Sequence, residues 1–224
     1  MNKKISASLM CADLLELGKS VKELEKAKID YIHLDIMDGS FVPNITLGFD
    51  IVNAVKSFTD IPLDIHMMVN DPSRFVDRMK LDENDIICIH SEADVHVHRC
   101  LSQIKDKGVK AGLALNPHTS PDSMKYLLEY IDMALVMTVS PGFAGQKMFE
   151  GAERKVTDTR RLLDEYGYPN IPIEVDGNIS VINGQKLCRC GADIFVLGTS
   201  SLFLKDKDIS QAADDFRNAL REVN

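Results

Sequence analysis

The sequence has no apolar run approaching the ~18 residues of a membrane-spanning helix, which argues against a helical membrane protein. It has no CxxC pair. Its five cysteines (Cys11, Cys88, Cys100, Cys188, Cys190) are an odd, scattered set, with Cys188 and Cys190 only two apart. That speaks against a structural zinc site or a disulfide framework and for free thiols in a reducing compartment. It has no surplus of positive charge either: 26 Lys and Arg stand against 34 Asp and Glu, a formal net charge of -8. Such a balance disfavours nonspecific binding to nucleic acid or to an anionic membrane. It leaves room for a small anionic substrate held by local groups. The N-terminal stretch MNKKISASLMCADLLELG begins basic but meets Asp13 and Glu16 before any long apolar segment, so it does not read as a signal peptide. A cytoplasmic protein is expected. No Ser/Pro-rich or low-complexity segment divides the chain, which is read as one domain, 1–224.

What is present is a globular composition, 45% hydrophobic and 27% charged, which excludes disorder. Short runs rich in Ile and Val recur at 5–10, 31–37, 62–69, 85–90, 109–115, 133–139, 171–177 and 193–198. Their length and β-branched content fit buried strands. Amphipathic stretches with helical spacing lie between them, at 14–28, 51–58, 98–108, 123–131, 154–167 and 182–191. In the first, Leu14, Leu17, Val21 and Leu24 share a stripe. Gly108, Gly167 and Gly191 stand where helix C-cap glycines are expected. Alternation alone fits a doubly wound open sheet as well as a barrel. Eight strand–helix units, the length and the missing linker favour a (β/α)8 TIM barrel, an α/β fold.

In such a barrel, chemistry belongs at the C-terminal ends of the strands. The polar residues cluster there. His33 and Asp35 are two apart and point to one side of their strand, with Met37 continuing it. Asp64, His66 and Met68 share a side in the next strand, and Asp176 ends the run at 171–177. Two imidazoles and two carboxylates near strand tops suit Zn2+, Fe2+, Co2+ or Mn2+. Left uncompensated in a core they would be costly, so a metal or mutual pairing is needed. PGFAGQ (141–146), DGN (176–178) and GTSS (198–201) follow three successive strands. Their glycines let backbone N–H groups approach a phosphate. Met37, Met67, Met68 and Met137 gather near these ends, either as core packing or as an apolar wall around a reacting carbon.

HLDIMDGSFVPNITLG (33–48), PLDIHMMV (62–69), LALNP (113–117), VMTVSPGFAGQ (136–146) and IEVDGNI (173–179) resemble the ribulose-phosphate 3-epimerase family, from Ile5 to about Phe203. The resemblance implies an isomerase that epimerises C3 of a ketose phosphate with one divalent metal ion. It implies His33, Asp35, His66 and Asp176 as metal ligands, and Asp35 and Asp176 as the acid/base pair. It implies substrate contacts at Ser8, His66, Gly142, Phe143, Ala144, Gly145, Gly177, Asn178, Gly198 and Thr199. Met37, Met68 and Met137 would form the pocket wall. A homo-oligomer is also implied. The family usually has DGGI where this chain has DGNI, so Asn178 replaces a glycine, and Ala144 stands where Gly is common.

SLMCADLL (8–15) and GTSSLF (198–203) are more similar to the allulose-6-phosphate 3-epimerase branch, whereas TLGFD (46–50) and IHSEADVHVHR (89–99) are more similar to the ribulose-phosphate branch. D-Ribulose 5-phosphate is therefore the expected substrate, with D-allulose 6-phosphate as the alternative. A phosphate-binding lyase or decarboxylase of the orotidine-phosphate type would need a DxKxxD array, and HxDxMD here carries no lysine. A noncatalytic sugar-phosphate sensor would be expected to lose the carboxylates, which are intact. Asp38 is read as a turn residue with Gly39. Asp64 and Glu174 lie one layer deeper than His66 and Asp176, either orienting ligands or paired with each other. His90 is given no role beyond a place near the pocket.

Overall fold

A computed structural model describes residues 3–223; Met1, Asn2 and Asn224, which the one-domain reading includes, lie outside the described residues. Eight parallel strands form the barrel: β1 (Lys4–Ser8), β2 (Tyr31–Asp38), β4 (Leu63–Met68), β5 (Ile86–His90), β6 (Lys110–Leu115), β7 (Met133–Met137), β8 (Ile173–Asp176) and β9 (Ile194–Leu197). A two-residue strand, β3 (Ile45–Thr46), runs antiparallel along the top of β2. The order is β1-β9-β8-β7-β6-β5-β4-β2, and pairing of β1 with β2 closes the ring. The expected (β/α)8 barrel is observed.

The strands are apolar because both of their faces are covered. On β2, Ile32, Leu34 and Ile36 point outward into the main core beneath the helices. The alternate positions His33, Asp35 and Met37 therefore point into the barrel. Register then sets the layers: His33 pairs with Asp64, Asp35 with His66, Met37 with Met68, and across the barrel wall Met137 with Asp176. The inward residues Leu135, Met133, Ile86 and Cys88 fill the lower barrel.

Among the described residues six helices cover the outside: α1 (Leu17–Lys26), α2 (Phe49–Phe58), α3 (Val97–Asp106), α4 (Ala152–Glu165), α5 (Val181–Arg189) and α6 (Ile209–Arg221). Gly108, Gly167 and Gly191 take positive φ just past α3, α4 and α5, as expected for C-caps. Three sequence expectations need correction. Two of the eight units carry no α-helix. The stretch 123–131 is two short 3-10 turns, Pro121–Met124 and Leu128–Tyr130. Met124, Leu128 and Ile131 are buried in the core there while Tyr126 between the turns is exposed, and so short a helix has little stability of its own. Similar turns at Pro72–Arg74 and Val76–Arg78 follow β4. Leu14 is exposed and lies outside the α1 stripe, because Asp13 makes a turn with Leu15 and Glu16 before the helix starts. The alternation also gave no sign of α6, which buries Phe216 edge-on against Phe195.

Candidate active site

At the top of the barrel, four side chains from three strands converge. His33 Nε2, Asp35, His66 Nδ1 and Asp176 each offer a donor atom, and these atoms lie within 4.8 Å of one another. His33 Nε2 is 3.3 Å from Asp35 Oδ1, and His66 Nδ1 is 3.4 Å from the same oxygen and 3.7 Å from Asp176 Oδ2. Both nitrogens are buried without a hydrogen-bond partner. Orphaned buried nitrogens are costly, and two that face two carboxylates fit the donor set of a divalent N/O-bound cation. The four residues named from the sequence are thus brought together.

The layer beneath holds these groups in place. His33 Nδ1 lies 2.6 Å from Asp64 Oδ2, which also accepts a bond from the Ser6 hydroxyl at 2.8 Å. The Ser8 hydroxyl donates to Asp35 Oδ2 at 2.8 Å. The Thr46 hydroxyl donates to the Asp35 carbonyl, so β3 pins the top of β2. Asp64 and Glu174 are fully buried, one layer below His66 and Asp176. Burial and the charge of Asp64 push the Glu174 carboxyl well above its ordinary range.

The two upper carboxylates are pushed apart. Burial alone would raise Asp35, but His33 and His66 hold it well below the usual carboxylate range. Burial raises Asp176 to about 6, with the charge of Asp35 adding to it and His33 opposing. Burial opposes a proton on His33, yet Asp64 and Asp35 lift it well above the usual imidazole value. Protons therefore compete with any cation for these donors. Cation affinity should climb between pH 5 and 7, as Asp176 ionises near pH 6. Equilibrium dialysis against Zn2+ across that range checks it, and flat affinity would refute it.

Asp35 and Asp176 face a cavity that opens to solvent. Ser8, Gly142, Phe143, Ala144, Gly145, Gly177, Asn178, Gly198 and Thr199 line it, as do Met37, Met68 and Met137. His33 and His66 stand behind the wall, fully buried. Met67 does not belong to the wall. It is adjacent to Met68, hence on the opposite strand face, and packs in the outer core. Met10, Cys11, Val139, Gln146, Ile179, Val196 and Ser200 line the cavity too and were missed. Met10 and Cys11 sit in a 3-10 turn after β1, where the sequence pattern extends the strand.

The loops meet one another over the cavity. The Asn44 side-chain amide donates to the Gly142 carbonyl at 2.8 Å. Asn178 sits at φ 52, which explains how it replaces a glycine: Asn tolerates the left-handed region. Its side-chain and main-chain oxygens accept bonds from Asn183 at 3.0 and 2.8 Å. Asp38 ends β2 and caps a turn, accepting from the backbone N–H of Ser40 and Phe41, each at 2.8 Å, as read from the sequence. The five cysteines are free. Among the described residues no helix is long and apolar enough to cross a membrane.

The model of the ribulose-phosphate 3 epimerase family matches residues 4–203. Ribulose-phosphate 3-epimerase of Bacillus subtilis is 41% identical over 197 residues, covering 88% of this chain and 91% of the relative. Ribulose-phosphate 3-epimerase of Helicobacter pylori is 38% identical over 220 residues, covering 98% and 99%. Among solved structures, KGPDC from Streptococcus mutans superposes with a TM-score of 0.67 at 13% identity, covering 100% of this chain and 99% of that one. Orotidine 5'-phosphate decarboxylase from Pyrococcus horikoshii gives 0.68 at 14%, covering 97% and 99%, and shares the fold. By the family match and by these relatives, the chain belongs to the ribulose-phosphate 3-epimerase family.

Proposed function

We propose that this chain epimerises C3 of a D-ketose phosphate, interconverting D-ribulose 5-phosphate and D-xylulose 5-phosphate. One observation carries the reading: two carboxylates from separated strands, Asp35 of β2, buried, and Asp176 of β8, partly exposed, face one cavity. Inverting a carbon next to a carbonyl needs one group to remove a proton from one face and another to return one to the opposite face. Asp35, held ionised, starts as the base. Asp176, on the other side of the cavity, starts as the acid in the direction in which it enters protonated. The C3 proton passes to Asp35 as the enediolate forms, and the Asp176 proton adds to the other face. In the return direction the roles exchange.

His33, Asp35, His66 and Asp176 would hold one divalent cation, which when bound supplies several kcal/mol of Lewis-acid stabilisation to negative charge on the substrate's ketone oxygen. The Ser8 hydroxyl keeps Asp35 oriented. Met37, Met68 and Met137 keep water from the reacting carbon. The turns at 142–145, 177–178 and 198–199 would bind the phosphate through backbone N–H groups, so an overall acidic chain needs no cationic side chain there. The same reading takes the chain as one domain and a cytoplasmic homo-oligomer. Light scattering tests the assembly.

The hexose alternative has its own support, since Cys11 and Ser200, from the two segments most similar to that branch, line the cavity. A coupled assay with ribulose 5-phosphate and allulose 6-phosphate in parallel decides it. At least tenfold higher kcat/KM for the pentose is expected, and the reverse ratio would transfer the assignment to the hexose. In deuterated water, product should carry deuterium at C3. Turnover without exchange would refute proton transfer through solvent-exchangeable carboxyls.

A further inference from the structure

His90 and Glu92 take no part in the proton chemistry above, yet they are built into the wall behind His66. His90 is fully buried at the end of β5. Its ring lies between that of His66, 5.0 Å away and inclined by 25°, and that of Phe41, 4.8 Å away. It is thereby held in one orientation. His90 Nε2 is 2.9 Å from His66 Nε2. His90 Nδ1 faces Glu92 Oε2 at 3.4 Å, long for a hydrogen bond, and has no other partner among the described residues. Glu92 is itself fixed. Its other oxygen accepts from the Asn116 N–H at 3.1 Å and from the Thr119 hydroxyl.

Two neutral imidazoles joined nitrogen to nitrogen share one hydrogen, and it has two places to be. On His90 Nε2, it leaves His66 protonated at Nδ1, with no lone pair to offer the side of the site that holds Asp35 and Asp176. On His66 Nε2, it frees the Nδ1 lone pair to face that side. Asp35 and Asp176, at 3.4 and 3.7 Å, would otherwise draw the hydrogen to His66 Nδ1, but where a cation holds those two carboxylates the carboxylate of Glu92 decides. An anion beside His90 Nδ1 favours the hydrogen there, which makes His90 Nε2 an acceptor and His66 Nε2 a donor. We propose that Glu92 and His90 form a positioning relay that locks His66 in the Nε2–H tautomer and so presents Nδ1 to a bound cation. The inference rests on the metal reading made above. Asp64 does for His33 directly what Glu92 does for His66 through an additional ring. The two imidazoles thus offer opposite nitrogens, Nε2 and Nδ1, to the same point.

Long-range 15N–1H NMR of the histidine rings in the Zn2+-loaded wild type, with Zn2+ affinity by chelator competition for wild type, His90→Phe, His90→Gln and Glu92→Ala, tests this. His66 is expected to carry hydrogen on Nε2 and none on Nδ1. His90→Phe keeps the stacked ring but loses the acceptor, and Glu92→Ala loses the anchor. Each should weaken Zn2+ binding by about 10–100-fold. His90→Gln returns an acceptor oxygen near the position of Nε2 and should recover most of the loss. A role in packing alone would leave His90→Phe unchanged and give His90→Gln no advantage. Hydrogen on His66 Nδ1, or wild-type affinity in His90→Phe, overturns the relay. If His90→Phe does not fold, the wild-type spectrum and Glu92→Ala still decide. A wild type that binds no Zn2+ overturns the metal reading and the relay with it, whereas binding indifferent to His90 and Glu92 overturns the relay alone.

Discussion

Asp35→Asn and Asp176→Asn should each lower kcat by roughly 10^3-fold or more, at the upper end of what one general acid or base contributes. Each amide keeps the shape of its carboxylate and loses the ability to take or hold the migrating proton. Both groups are needed in every turnover, since one face of C3 is served by each. A variant that keeps more than a tenth of wild-type kcat, with metal content measured alongside, would end the two-base scheme.

Asp176→Asn carries a second expectation, of opposite sign. The folded carboxyl is raised to about 6 by burial, against an ordinary value near 3.9. Its contribution to stability is therefore favourable at low pH and is lost as pH rises through about 6. Above that, the metal-free fold carries a buried charge that Asn would remove. The side chain is 17% exposed, which tempers the gain to about 1–2 kcal/mol. Metal-free Asp176→Asn should thus melt a few degrees above metal-free wild type at pH 8, with the gap closing by pH 4. A lower melting temperature at pH 8 would show that this carboxylate is compensated by its neighbours.

The second large effect is expected at Gly177. Its φ is 113, and a Cβ there would sit 2.5 Å from Val139 Cγ2, 2.9 Å from Cγ1 and 3.0 Å from Thr138 Oγ1. Thr138 Oγ1 is the hydroxyl that donates to the Asp176 carbonyl at 2.9 Å. A methyl group would therefore strain the backbone and push on the strap that fixes the catalytic strand end. Gly177→Ala should cost about 2–5 kcal/mol from the two effects together, lower the melting temperature by roughly 5–15 °C, and raise KM as the phosphate turn shifts. Gly145 supplies the control. It also has positive φ, at 80, but a Cβ there meets nothing within 4 Å. Gly145→Ala should cost only about 1–2 kcal/mol. Equal losses at the two positions would mean that dihedral strain alone, and no close contact, decides.

Much of the site was legible in the sequence because strands have a period of two. His33, Asp35 and Met37 share a face on that rule, and so do Asp64, His66 and Met68. By the same rule Met67, adjacent to Met68, falls on the opposite face and takes the core-packing alternative. What period two cannot give is register. That Asp35 stands opposite His66, and His33 opposite Asp64, is fixed by the pairing of β2 with β4. The proposed relay through His90 needs two strands in register, β4 and β5, and a loop, so Glu92 had no local signal beyond its spacing of two from His90. The 3-10 turns at 121–130 escaped because Met124 and Leu128 are four apart, a spacing common to a helix and to two anchored turns.

Barrel closure has a consequence in time. Three of the four converging donors belong to β2 and β4, and the fourth waits for β8, more than a hundred residues later. Translation at 5–20 residues per second puts roughly 5–20 s between them. The ring itself shuts only when β9, later still, pairs with β1. A nascent or truncated chain ending before residue 173 therefore lacks Asp176, the acid of the proposed scheme, whatever else has folded, and under that scheme activity reports that the two ends of the polypeptide have met.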